Sequence, residues 1–274
     1  MGQAIKHAYD LDPCVAELYD QQETQTSDIE LLRRLIAAKQ ELRILEPFCG
    51  TGRILLPLAA DGHSVDGLDR ATPMLDHARA KLACLTPHLQ ERVRLLQMDI
   101  LASPWPGGYD LVILGGNCLY ELATPHQQET CIARAAQALL PGGYLFMDND
   151  HMEGDLDPAW RNADVRAAFP RGTCADGTRI QATRQTVWYD APNRLARFAR
   201  EIRITRPDGS VEQQAYLEQK HPVSHDELAG WLDAHGFDIR ATYGDHDQSP
   251  YTRDAPRAIF WAQKAPRNTR RNNR

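Results

Sequence analysis

The apolar segment Ile44-Leu45-Glu46-Pro47 runs into Phe48-Cys49-Gly50-Thr51-Gly52-Arg53, and a second apolar run, Ile54 to Ala60, follows at once. A strand that breaks into a glycine loop and then opens a helix constrains the fold strongly, because it reads as the start of a β–α–β unit. Glycine is required where backbone turns tightly or approaches a ligand without a Cβ in the way. A helix start just beyond offers unpaired N–H groups. The next apolar segment, His63 to Leu68, ends at Asp69, an acid placed to accept hydrogen bonds from ribose hydroxyls. The G-x-G-x-x-G pattern of dinucleotide binders is incomplete, since Leu55 stands where its third glycine would be. Glu46 at the strand end would repel a pyrophosphate and attract an ammonium.

This stretch resembles motif I of the class I S-adenosylmethionine (SAM)-dependent methyltransferases, E/D-x-G-x-G-x-G. The likeness is carried by Glu46, Gly50 and Gly52, with Phe48 where the family's first glycine usually stands. SAM brings an α-amino group, a sulfonium and a ribose, which suit these charges. The resemblance continues at Met98-Asp99-Ile100, where the family places an acceptor for the adenine amino group and an apolar cover for the ring. It continues again at Leu139-Leu140-Pro141-Gly142-Gly143, which is similar to the family's turn before the fifth strand. It implies a cofactor set of Tyr19, Glu46, Gly50, Gly52, Arg53, Asp69, Met74, Asp99, Ile100 and Gly115. In that set Tyr19 closes over the methionine end of SAM; as a residue read by itself it serves equally as a hydrophobic staple.

The fold expected is α/β: a Rossmann-like, seven-stranded class I methyltransferase sheet with an inserted antiparallel β-flap. Strand and helix alternate as far as Met147, the pattern of a parallel sheet covered on both faces. Ser27-Asp28-Ile29-Glu30 and Ser224-His225-Asp226-Glu227 both read as capping boxes. From His151 the alternation stops, and Arg179–Tyr189, Asn193–Thr205 and Val211–His221 read as three strands joined by turns. Phe237 to Tyr243 and Arg257 to Lys264 read as a closing hairpin. The division expected is a lid segment (1–25), a SAM-binding core (26–150), the flap over the substrate site (151–222), the rest of the core sheet (223–264) and a disordered basic tail (265–274).

Acceptor-side residues follow from position and chemistry. Gly116-Asn117-Cys118 follows the fourth strand and resembles the Gly-Asn-Ser/Cys loop of glycine and sarcosine N-methyltransferases; an asparagine there also satisfies loop backbone. Asn117, Tyr120 and His151 are the catalytic candidates, and Asn117, Tyr120, Arg184 and Trp188 the substrate-binding ones. Of the flap arginines, Arg200 shares a face with Ala196, Phe198, Ile202 and Ile204. Arg184 is chosen to meet a substrate carboxylate, because Trp188 lies on the same strand.

No His/Cys/Asp/Glu cluster implies a metal. Six scattered cysteines without a C-x-x-C pair suggest reduced thiols and a cytoplasmic setting. A net charge of −6 disfavours nucleic acid, and neither a membrane helix nor an N-terminal h-region is visible. The function implied is methyl transfer from SAM to an N or O nucleophile of a small molecule, in the style of glycine/sarcosine or natural-product enzymes. An RNA methyltransferase, favoured by Arg267, Arg270, Arg271 and Arg274, and a non-catalytic SAM-binding module are the alternatives. Homo-oligomerisation is left open.

Overall fold

In the computed structural model, which describes residues 8–266, the chain enters as a short 3-10 turn and the helix α1 (Pro13–Gln22). The first seven residues of the expected lid and the basic tail from 267 lie outside the described residues. Then come α2 (Ser27–Ile36), β1 (Arg43–Pro47), α3 (Leu55–Ala60), β2 (Ser64–Asp69), α4 (Thr72–Ala83), α5 (Pro87–Gln90) and β3 (Val93–Gln97). The second half of the sheet is built from β4 (Tyr109–Leu114), α6 (Pro125–Ala138) and β5 (Leu139–Asp150). After α7 (Pro158–Arg161) the flap strands follow: β6 (Arg166–Thr173), β7 (Arg179–Asp190), β8 (Leu195–Thr205) and β9 (Val211–Lys220). The chain closes with α8 (His225–Ala234), β10 (Phe237–Tyr243) and β11 (Arg257–Lys264).

The main sheet has the order β10-β11-β5-β4-β1-β2-β3. β11 runs antiparallel to both β10 and β5, and the remaining pairs are parallel. β1 pairs with β2 on one side and β4 on the other. The chain therefore winds outward to β3 and restarts beside β1, and the loops leaving the carboxyl ends of β1 and β4 part to opposite faces. That divergence is where open α/β sheets bind ligands. Alternation along the central strands feeds two cores. Leu45, Val112 and Met147 pack on the α6/α8 side, and Ile44, Leu111 and Phe146 on the α2/α3 side. Each such fully buried aliphatic contributes roughly 1.5–3 kcal/mol. Gly67 in β2 lets α3 approach: a Cβ there would lie 2.7 Å from Cys49 Sγ and 2.8 Å from Leu55 Cδ2.

The flap is a second sheet of four antiparallel strands, β6-β7-β8-β9, one more than the sequence suggests. The extra strand, β6, carries Pro170 and Gly172 and a register shift between Ala168 and Gly172, so it shows no clean alternation. The capping box Ser224–Glu227 forms in full. The one expected at Ser27 does not, because Ser27 Oγ is 2.9 Å from His246 Nδ1 and Thr26 takes the cap position. The thiol expectation is also corrected. Cys14 in α1 and Cys174 in the β6–β7 turn form a disulfide, their Cα atoms 5.9 Å apart, while Cys49, Cys84, Cys118 and Cys131 are free. No spacing rule links two cysteines separated by 160 positions; packing of α1 on the flap brings them together.

Candidate active site

The β1–α3 loop takes its shape from three left-handed residues, Phe48 (φ 62°), Gly50 (φ 53°) and Gly52 (φ 79°). Phe48 adopts without a glycine the conformation that glycine supplies in the family motif, at a cost of about 1–2 kcal/mol. Asp69, at the end of β2, locks the loop: Oδ2 accepts from the Gly50 N–H at 2.8 Å, and Oδ1 from the Ala71 N–H at 2.8 Å. Burial raises the Asp69 pKa, and these backbone donors work against the shift. At the end of β3, Asp99 Oδ1 accepts from the Leu101 N–H at 2.8 Å and fixes the turn that carries Ile100. Arg134 of α6 holds the same turn through the carbonyls of Ile100, Leu101 and Ser103.

These strand ends open into one cavity of about 630 Å³. Of the expected cofactor residues, Tyr19, Glu46, Gly50, Arg53, Asp69, Met74, Asp99, Ile100 and Gly115 line it; Gly52 does not and serves the turn behind it. Glu46 is 5% exposed, and its Oε2 has no hydrogen-bond partner. Burial pushes its carboxyl up to about 8, against the pull of Arg53. Arg53 is held by Asp28, with Nη2 to Oδ2 at 2.6 Å, and by the Gln25 carbonyl at 2.9 Å.

Above these residues lies a roof of α1 and the flap. Tyr9, Tyr19 and Phe169 form an aromatic trio with centroids 5.7–6.4 Å apart. Asp20 ties α1 to the glycine loop by accepting from Thr51 Oγ1 at 2.5 Å, and to α4 through Lys81 Nζ at 2.7 Å. The far wall is formed by Glu121, Arg197, Tyr216, Glu218 and Gln219. Sequence reading does not single out Glu121, Tyr216, Glu218 or Gln219. For Tyr216 and Glu218 the only signal is that alternate residues of β9 face inward, which does not say what lies opposite. Lys220 Nζ lies between Glu218 and Glu121, at 3.4 and 3.6 Å.

The expected catalytic group is placed differently. Asn117, Tyr120 and His151 do not line the cavity, although Gly116, Cys118 and Glu121 beside them do. Asn117, left-handed at φ 61°, spends its amide on Asp150 and on Arg257 Nη2 at 3.2 Å. Arg257 also grips Asp148, with Nε to Oδ1 at 2.6 Å. Burial would raise the Asp148 carboxyl, but His246 and Arg257 hold it below its usual range. Tyr120 donates to the Asp150 carbonyl at 3.2 Å. His151 has both ring nitrogens engaged, by Glu153 at 3.2 Å and the Ala255 carbonyl at 2.7 Å. Arg184 and Trp188 lie outside the cavity lining as well: Arg184 stacks on Phe198, and Trp188 is 39% exposed with Arg197 over its ring. A ring contact links these groups, Tyr120 to Trp160 at 6.0 Å and Trp160 to Phe198 at 5.5 Å.

A seven-stranded sheet in this order, with acids at the ends of β1, β2 and β3 around a single cavity, defines a class I methyltransferase fold. Comparison with known proteins agrees. Residues 44–143 match the family model described as a methyltransferase domain, and the fold is that of the SAM-dependent class I methyltransferases. A putative methyltransferase of Bacillus subtilis, YqeM, is 30% identical over 135 residues, 49% of each chain. The chain thus spans about half the length of that relative. A ubiquinone biosynthesis O-methyltransferase of Paracidovorax citrulli is 25% identical over 198 residues, 72% of this chain and 77% of that one. Among solved structures, the sugar N-methyltransferase KedS8 from Streptoalloteichus superposes with a TM-score of 0.68 at 17% identity, over 97% of this chain and 96% of that one.

Proposed function

We propose that this protein transfers a methyl group from SAM to a nitrogen or oxygen nucleophile of a small molecule that also carries a carboxylate. The observation that carries the reading is the single cavity in which Glu46, Asp69 and Asp99 meet a wall supplied by the flap. The residues present suit SAM: the orphaned Glu46 Oε2 awaits a donor such as an ammonium, and Asp69 keeps lone pairs for ribose hydroxyls. Asp99 and Ile100 offer an acceptor and an apolar cover to adenine.

When bound, SAM supplies a methyl group already activated on a sulfonium. The chain's own task is alignment and exclusion of water. Tyr19 and Tyr9 roof the cavity with Phe169 packed against their rings, and Gly115 and Gly116 leave room at the end of β4. Asn117 acts as a positioning residue: by bridging Asp150 and Arg257 it fixes the loop that carries Gly116 and Cys118. Glu121 and Glu218 are the carboxylates on the acceptor side, within reach of a proton leaving an amine or hydroxyl. An O-methyltransferase stands among the relatives and a sugar N-methyltransferase among the structural neighbours, which supports a small-molecule acceptor without choosing the atom.

The test is calorimetric titration with SAM and S-adenosylhomocysteine, then incubation with labelled SAM and a metabolite extract. Binding followed by one labelled small product is expected. Absence of binding overturns the reading.

A further inference from the structure

We propose that Arg166, Arg184 and Arg200, aligned across the inner face of the flap, form an oxyanion-binding subsite that holds the acidic group of the acceptor substrate. The inference rests on the reading above and names the part of the flap that grips the acceptor. The row is set by register: Arg166 pairs with Arg184, Arg184 with Arg200, and Arg200 with Tyr216. Residues directly opposite in an antiparallel pair have Cβ atoms about 4.5–5.5 Å apart, and like charges placed so destabilise the sheet. Three arginines in a line therefore oppose folding unless something neutralises them.

All three lie on the inner face, since Arg200 is 8% exposed and alternates with the buried Ala196, Phe198 and Ile202. Protein groups neutralise only one end. Arg200 donates to the Phe169 carbonyl and faces Glu218 at 3.6 Å. Among the described residues, the Arg184 side chain makes no hydrogen bond or ion pair; its contact is the Phe198 ring, 4.7 Å away. Arg166 makes neither. Both are only partly exposed. Burial, then the nearby charge of Arg200, lowers the Arg184 pKa against the pull of Glu218, as expected for a half-buried guanidinium with no carboxylate in contact.

Its place suits an acceptor. Tyr216 and Glu218, next to Arg200, line the cavity wall, so the row leads away from the donor end. Two guanidiniums with free forked donors match an oxyanion bidentately, and carboxylate and phosphate share that geometry.

The probes are benzoate and phenyl phosphate, set against their neutral counterparts benzamide and phenol. Each is titrated at fixed ionic strength into the full chain saturated with S-adenosylhomocysteine, with tryptophan fluorescence as readout, since Trp160 lies against Phe198. At least one anion should bind ten-fold or more tighter than its neutral counterpart, and the tighter of the two identifies carboxylate or phosphate. Arg184→Gln and Arg166→Gln should abolish the preference, while Arg203→Gln, on the opposite face of β8, should keep it. S-adenosylhomocysteine affinity, unchanged in all three variants, shows that each is folded. Equal affinity for anions and neutral counterparts, or a preference that survives Arg184→Gln, overturns the subsite. Failure to bind S-adenosylhomocysteine at all would instead overturn the methyltransferase reading.

Discussion

The donor and acceptor sides of the cavity are built on different principles. On the donor side, Glu46, Asp69 and Asp99 sit at the ends of three successive parallel strands, and the backbone itself orients them. On the acceptor side, the wall comes from α1, the loop after β4 and β9, elements distant in sequence and joined by side chains and one disulfide. The first is part of the sheet; the second is assembled against it. A sheet end tolerates little change, because its polar groups are already committed. An added wall can be exchanged without disturbing the core, which suits a fold that serves many acceptors.

The largest effect should come from cutting the acceptor wall loose. Replacing Cys14 and Cys174 together by serine removes a cross-link over 160 positions and should cost about 2–5 kcal/mol of stability. Hydrogen exchange should quicken in α1 and β6–β9 while β1–β5 stays protected; uniform quickening would erase the contrast between the two sides. Next comes the donor lock. Asp69→Ala removes two charge-assisted backbone contacts together with the proposed ribose acceptor, at about 1.5–3 kcal/mol, and S-adenosylhomocysteine affinity should fall roughly 10- to 150-fold by titration.

Glu46 gives a pH signature. Its folded pKa, about 8, lies above the ordinary 4.5. The stability it contributes is therefore complete below pH 4.5 and is lost as pH rises through 8. Urea unfolding across that window should show a slope that Glu46→Gln flattens. If a SAM ammonium pairs with Glu46, binding at neutral pH also releases a proton, and the heat of titration will vary with the buffer's ionisation enthalpy. The smallest effect belongs to Trp188→Ala, on the exposed side of the flap. Loss of the Arg197 stack costs about 0.5–1 kcal/mol and should leave S-adenosylhomocysteine affinity unchanged.

How much was legible in the sequence follows the same division. The meeting of Glu46, Asp69 and Asp99 at one cavity could be read because each acid stands at the end of an apolar strand, and a strand end is a local signal. The inward face of Arg200 was also legible, since period-two alternation with Phe198 and Ile202 is local too. Contacts that depend on distant partners were not. Ser27 has the pattern of a capping box, but His246, itself bonded to Asp148, takes its hydroxyl. Asn117 and His151 have the right chemistry for catalysis, yet Arg257 and the Ala255 carbonyl, both near the chain's end, engage them. Lys220 between two glutamates could not be foreseen, because Glu121 lies on a different sheet's loop.

The tether between α1 and the flap also bears on traffic through the cavity. Tyr19 lines the cavity and packs edge-on against Phe169 of β6, and the disulfide, the Glu17–Ala175 hydrogen bond and the Asp12–Arg206 ion pair hold that helix and sheet together. Roof and wall are therefore tied into one unit. A cofactor beneath the roof and an acceptor beneath the flap would thus be released by one shared opening step, and steps of that kind limit turnover in many enzymes.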